Sequence, residues 1–282
     1  MTLGTMDKIV FADSWEPYFA GLGLKTFDDF YEYADANTVG KNHRRNVQRL
    51  AFDTDGNRCT FFMKRFQSPH FKDMVAACRT CGRPTTQAGV EWHNARYLLD
   101  NGIVTYEPVC MGERTRWGLE RNSFFVTREL EGECLRDFVI NNWYGLDRSR
   151  QEQILAAVAQ FVRTLHQLGI VFPDLYIWHL FLRTERLWDD CQLSIIDLHR
   201  MTAGMRSQRR QARDLSRLCW SMVPKYFDDD HKEFLLETCL LDFNVSQRNA
   251  LRGVIARYEA TLNKRHTADR YYGKKASQLQ SA

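Results

Sequence analysis

What most constrains the fold of this chain is a change of character near residue 130, where strand patterns give way to helical ones. In the first part, Asn46 to Asp53 and Arg58 to Phe66 flank the turn cluster Asp53-Thr54-Asp55-Gly56-Asn57, which predicts a β-hairpin. Along its second strand Thr60, Phe62 and Lys64 share one face, and Phe61, Met63 and Arg65 the other. A loop with Pro69, Gly82 and Pro84 leads to a helix from about Gly89 to Leu99, closed by Asn101-Gly102. Helical spacing puts Glu91 on the same face as Ala95 and Leu98. An acidic residue stabilised by the dipole of a first helical turn is the competing reading of Glu91. Asn122 to Leu130 reads as another strand. The opening segment reads as helical, with Thr26 capping a helix from Phe27 to Tyr33.

In the second part, Ile154, Val158, Phe161, Val162 and Leu165 recur at helical spacing, so Arg150 to Leu168 is a long amphipathic helix ending at Gly169. Leu180 to Leu182 and Leu193 to Ile196 predict short strands around an Asp189-Asp190 turn, and from Arg213 the sequence reads as helical to about Leu262. The expected class is α+β, with a β-rich lobe over residues 1–130, a helical lobe over 131–262 and a basic, disordered tail over 263–282.

Composition narrows the setting. A chain of 282 residues accommodates two lobes, and 44% hydrophobic with 26% charged residues is ordinary globular usage. No apolar run is long enough to span a bilayer, and the first residues lack the pattern of a signal peptide, so a cytoplasmic protein is expected. The eight cysteines are scattered; Cys78 and Cys81 form the one CxxC, with no second ligand pair for a structural zinc. A net charge of +4 is too small to point to nucleic acid, and no nucleic-acid partner is expected.

Four residues then stand in a meaningful order: Lys64 on a strand, Glu91 on the next helix, Asp174 after the long helix and Asp197 after the short hairpin. Phosphoryl transfer from ATP uses such parts: a lysine on the phosphates, a helical glutamate orienting it, an aspartate receiving the hydroxyl proton and another binding magnesium. The segments Asp174-Leu175-Tyr176-Ile177-Trp178-His179-Leu180-Phe181-Leu182 and Ile195-Ile196-Asp197-Leu198-His199-Arg200 resemble the lipopolysaccharide kinase (Kdo/WaaP) family, the core heptose kinases of Gram-negative bacteria. Arg213-Asp214-Leu215-Ser216-Arg217-Leu218 resembles the next helix of that family, and Lys64, Glu91-Trp92 and Gly102-Ile103 fall where it has its first-lobe elements. The resemblance covers about Thr26 to Tyr258 and is loose before Cys59.

The resemblance implies a protein-kinase-like, two-lobed fold and ATP-dependent phosphorylation of a heptose or Kdo hydroxyl of the lipopolysaccharide inner core. By the same resemblance Asp174 is the catalytic base, Asp197 the Mg²⁺ ligand, Lys64 the phosphate anchor and Glu91 its ion-pair partner. Asp214 then braces the catalytic loop, with a helix N-cap as the equal competing reading. Implied partners are the core and lipid A acceptor, acyl carrier protein, and the cytoplasmic face of the inner membrane as a peripheral contact.

Departures from protein kinases are informative. Phe172-Pro173 replaces the His-Arg before the base, which argues against phospho-regulation, and His199 replaces a glycine of the metal motif. His179 stands where those kinases have a metal-binding asparagine; magnesium prefers oxygen, so a single-metal site or a phosphate contact is expected there. The phosphate-covering loop reduces to Gly40 in Asn37-Thr38-Val39-Gly40-Lys41-Asn42. Arg200, Arg206, Arg209, Arg210, Arg213 and Arg217 form a cluster suited to acceptor phosphates and carboxylates, or a solvated loop. The competing functions are a phosphotransferase acting on another small molecule and a pseudokinase acting as a binding or scaffolding module.

Overall fold

The computed structural model describes residues 4–12, 14–33, 38–41, 45–54, 57–69 and 85–273. The chain divides into two compact units, with the boundary between Leu130 and Glu131.

The first unit contains β1 (Thr5–Phe11), α1 (Trp15–Gly21), α2 (Phe27–Tyr31), β2 (Thr38–Lys41), β3 (Arg45–Thr54), β4 (Asn57–Gln67), α3 (Gln87–Asp100), β5 (Pro108–Arg116) and β6 (Leu119–Arg128). Its strands form one antiparallel sheet in the order β1-β5-β6-β4-β3-β2. The alternation read along β4 is the reason it sits centrally: Phe61 and Met63 point into a core with Phe19, Phe30, Leu50, Phe124 and Val126. Each such side chain contributes roughly 1.5–3 kcal/mol by burial. Arg65, on that same face, donates to the carbonyls of Phe30 and Tyr33.

Strands β1, β2 and β5 escaped the sequence reading. The opening segment, expected to be helical, begins as β1, paired from Thr5↔Arg116 to Phe11↔Cys110 before α1 starts. An edge strand that is mostly exposed carries little hydrophobic alternation, and its hold comes from the ladder and from Arg114, which forks onto Asp7 and also meets Asp28. β5 contains Gly112 because the ring of Phe124 lies directly across it; a Cβ there would stand 2.1 Å from Phe124 Cε1. Thr26 caps α2 as expected, with Asp29 returning the bond to the Thr26 amide, but the helix stops at Tyr31. Thr38 to Lys41 of the expected phosphate-covering loop form β2, whose register shifts between Thr38 and Gly40. Asn37, Asn42, Cys78, Cys81, Gly82 and Pro84 lie outside the described residues.

The second unit contains β7 (Glu133–Cys134), α4 (Leu135–Asn142), α5 (Arg148–Gln167), β8 (Leu180–Leu182), β9 (Leu193–Ile195), α6 (Gln208–Ser221), α7 (Asp229–Cys239), α8 (Val245–Arg265) and α9 (Asp269–Tyr272). Asp147 caps α5, which buries Ile154, Leu155, Val158, Ala159, Val162 and Leu165. At its end Gly169 adopts φ +71, letting the Ile170 amide return to Leu165. Strands β7, β8 and β9 form a small antiparallel sheet. The helical stretch expected beyond Arg213 begins earlier and breaks twice, because Asp228 and Asn244 each form a capping box that starts a new helix.

The basic tail also needs correcting over its first part. α8 continues to Arg265, and in α9 Tyr271 stacks on Trp178 at 4.6 Å and 15°. Arg136, fully buried, donates to the Tyr271 carbonyl at 2.9 Å, and the Tyr272 hydroxyl donates to the Ser221 carbonyl at 2.8 Å. Two tyrosines offer more apolar area than the flanking basic residues oppose with charge. Among the described residues no helix is long and apolar enough to cross a membrane.

Candidate active site

In the first unit, β4 places Lys64 opposite Val47 of β3 and Phe125 of β6. α3 is capped by the Thr86 hydroxyl and buries Glu91 to 1% exposure beside Val90, Ala95 and Leu98. Lys64 Nζ donates to Glu91 Oε2 at 2.8 Å and Oε1 at 3.1 Å, and its own side chain is 17% exposed. The Tyr106 hydroxyl donates to Oε2 at 2.8 Å, and its ring lies beneath the ammonium at 5.8 Å. A buried carboxylate is tolerated when donors replace its lost water, and three short bonds do so here. Glu91 is the fifth residue of α3, beyond the first turn, so the helix dipole does not explain it. Tyr106 was missed by sequence reasoning, since nothing in a loop residue shows that its hydroxyl returns to a helix fifteen residues earlier.

In the second unit, Asp174 follows an isolated bridge, Val171↔Thr202, and is buried. Its Oδ1 accepts from Arg200 Nη1 at 2.8 Å, and His199 Nε2 lies 4.0 Å from its Oδ2. The Asp174 carbonyl accepts from the Tyr176 amide at 2.9 Å and from His179 Nδ1 at 2.7 Å. Asp197, two residues beyond β9, adopts a left-handed conformation, φ 63 and ψ 59. Such a conformation costs on the order of 1–2 kcal/mol, least for Asp and Asn, and persists only where surroundings enforce it. The enforcing contacts are the Ile196 amide on the His179 carbonyl at 3.0 Å and His199 Nδ1 on Asp197 Oδ1 at 3.1 Å. His179 Nε2 stands 3.9 Å from Asp197 Oδ2. The two loops are thereby cross-tied, with Asp174, His179, Asp197, His199 and Arg200 brought together.

Asp214 is not a helix N-cap. α6 starts at Gln208 behind Ser207, and Asp214 lies buried within it. Its Oδ2 accepts from the Phe172 amide at 2.7 Å, with His166 Nε2 at 3.6 Å, so it grips the backbone two residues before Asp174. The Tyr176 hydroxyl is held above its ordinary pKa by burial and then by the Asp174 charge.

The arginine cluster separates into two sets. Arg200 turns to Asp174, Arg213 lies over the Tyr258 ring at 4.4 Å, and Arg217 donates to the Arg213 carbonyl at 3.2 Å. Arg206, just before α6, and Arg209 and Arg210, in its first turn, are exposed. The contact of Arg200, whose side chain stays 54% exposed, with the buried Asp174 was not legible, because it depends on the three-residue turn Leu198–Arg200.

Comparison with known proteins places the chain in a family. The model of the lipopolysaccharide kinase (Kdo/WaaP) family matches residues 33–250. The lipopolysaccharide core heptose(I) kinase WaaP of Escherichia coli (strain K12) is 31% identical over 206 residues, spanning 70% of this chain and 75% of its own. Its namesake in Pseudomonas aeruginosa is 29% identical over 193 residues, spanning 65% of this chain and 70% of its own. A solved structure of WaaP in complex with acyl carrier protein superposes with a TM-score of 0.67 at 24% identity, covering 91% of this chain and 98% of that one. The fold is the α+β one expected from the sequence, and it is shared with that WaaP structure.

Proposed function

This chain belongs to the lipopolysaccharide kinase (Kdo/WaaP) family, and from that premise we propose that it transfers the γ-phosphate of ATP to a heptose or Kdo hydroxyl of the lipopolysaccharide inner core. The observation that carries phosphoryl transfer is the buried Lys64–Glu91–Tyr106 group, which holds one ammonium ready for phosphate oxygens. The acceptor class rests on the two relatives named for heptose.

Each residue has a role in this reading. Lys64 binds the nucleotide phosphates while Glu91 and Tyr106 fix its direction. Asp174 accepts the proton of the sugar hydroxyl as that oxygen bonds to the γ-phosphorus, and ADP leaves with the electrons of the broken bond. Arg200 orients the Asp174 carboxylate from one side, and Asp214 positions the loop through the Phe172 amide. Asp197 suits a divalent cation, Mg²⁺ being the ion the family pattern implies: such ions take one or two carboxylates together with substrate phosphates. The strained turn at Asp197 supports that assignment. When bound, the ion neutralises charge on the phosphates. His179, whose Nε2 stands 3.9 Å from Asp197, suits a phosphate contact beside that ion, since magnesium prefers oxygen ligands.

Exposed Arg206, Arg209 and Arg210 suit the phosphates of a lipid A-linked acceptor and an anionic membrane surface as a peripheral contact. Acyl carrier protein, present in the solved complex of the relative, is proposed as a partner here.

Incubation with ATP and a core oligosaccharide lacking heptose phosphate tests the reading. Mass spectrometry should find one phosphate gained on an inner-core sugar. ATP binding with no transfer to any core acceptor would instead assign a binding module.

A further inference from the structure

We infer that Glu120 is a positioning residue for the nucleotide anchor: with Ser123 it fixes the start of α3, and through it the direction of Glu91 and Lys64. The inference rests on the kinase reading above and concerns what sets the Lys64–Glu91 pair in place.

The first N–H groups of a helix have no partner within it and must find one outside. In α3 the sheet supplies most of them. The Gln87 amide donates to Glu120 Oε2 at 3.0 Å and the Ala88 amide to Ser123 Oγ at 3.3 Å. The Gly89 amide donates to Thr86 Oγ1 at 3.0 Å. Both accepting hydroxyls donate in turn to carboxylates, Ser123 to Glu120 Oε1 and Thr86 to Glu113 Oε1, each at 2.6 Å. A hydroxyl whose hydrogen is taken by a carboxylate has its lone pairs left for the amides. Glu120 is only 5% exposed, and Ser123 and Thr86 are buried with it. Negative charge at a helix N-terminus is favoured by the helix dipole, most strongly where water is excluded.

The sheet departs from regularity to make this contact. Glu120 and Ser123 are three residues apart on β6, so plain alternation would put them on opposite faces. The register of β5 with β6 shifts so that Arg114 pairs with Asn122 but Thr115 with Glu120. The extra residue re-aims Glu120 to the face of Ser123 and Glu113, which pair with each other. β6 also carries Phe125, the register partner of Lys64. One strand therefore sets both partners, Lys64 through the ladder and Glu91 through the start of α3. Gln87 lies one turn before Glu91 on the same side of the helix, about 6 Å along its axis. A rotation or slide of α3 that parted Glu91 from Lys64 has to break the bonds to Glu120 and Ser123.

The test is a double-mutant cycle on ATP affinity, measured by calorimetry on the full chain, that combines Glu120→Gln with Glu91→Gln. A carboxamide offers one acceptor oxygen where the carboxylate offers two, and it removes the charge. In the wild-type background Glu120→Gln should weaken ATP binding about tenfold. In the Glu91→Gln background it should change ATP binding by less than about twofold, because the pair it serves is already lost. Circular dichroism confirms that the variants fold. Ser123→Ala should repeat the pattern, and it decides the matter where Glu120→Gln does not fold. Equal weakening in both backgrounds, or none in either, overturns the inference, since the cap then only stabilises the helix. Wild-type protein that binds no ATP contradicts the kinase reading instead.

Discussion

Burying the carboxylate of Glu91 is unfavourable unless donors surround it, and Lys64 and Tyr106 supply them. Removing one partner of a buried pair typically costs about 3–5 kcal/mol, while keeping the shape and losing only the charge costs less. Glu91→Gln should therefore fold, with stability lowered by about 1–3 kcal/mol, and should lose affinity for ATP more than it loses stability. Tyr106→Phe removes one hydrogen bond to a charged group and should cost about 1.5–3 kcal/mol. Urea unfolding and calorimetric ATP titration on the same samples measure both effects. A folded Glu91→Gln protein with unchanged nucleotide affinity would show that the pair is only structural. The inward face of Glu91 was legible because helical spacing tied it to Ala95 and Leu98, both buried. The Arg200–Asp174 contact and the hydroxyl of Tyr106 were not, since each depends on a loop that brings distant residues together.

At the scale of elements, periodicity decided what could be read. β4 and α5 each bury one face, and β8 and β9 are short apolar runs, so all show in sequence. β1 buries little, and β5 was hidden by Gly112 and its charged outer end, so the sheet was wider than expected. α9 was missed because basic residues around Tyr271 and Tyr272 suggested solvation. Its packing forms a column: Tyr271 on Trp178, and Trp178 on Tyr176 at 4.7 Å and 15°, with the Trp220 ring edge-on to all three. Tyr176 lies two residues from Asp174, so the last described helix supports the loop that carries the proposed base. Tyr271→Ala should lower stability by about 2 kcal/mol through lost stacking and burial. It should reduce kcat several-fold with little change in KM for ATP, and Tyr271→Phe should restore both. Unchanged kcat in a destabilised Tyr271→Ala protein would confine α9 to a structural role.

On the scale of the whole molecule, the family match runs through both units, from residue 33 to 250, and α9 lies beyond it. The order of Lys64, Glu91, Asp174 and Asp197 made the fold class readable, because phosphoryl transfer needs those groups on those elements. Each unit supplies chemistry that the other lacks: the first an ammonium held by Glu91, the second two buried carboxylates tied by His179, His199 and Arg200. The most direct measurement compares wild type, Asp174→Asn and Asp197→Asn in one assay, with metal-ATP affinity by calorimetry and phosphate transfer to an inner-core heptose by mass spectrometry. Proton acceptance typically contributes about a hundred- to ten-thousand-fold, so Asp174→Asn should bind metal-ATP nearly as wild type and transfer that much more slowly. Asp197→Asn should lose metal-dependent nucleotide affinity as well as transfer. Wild-type turnover by Asp174→Asn on the heptose acceptor would contradict the assignment of Asp174 as the base.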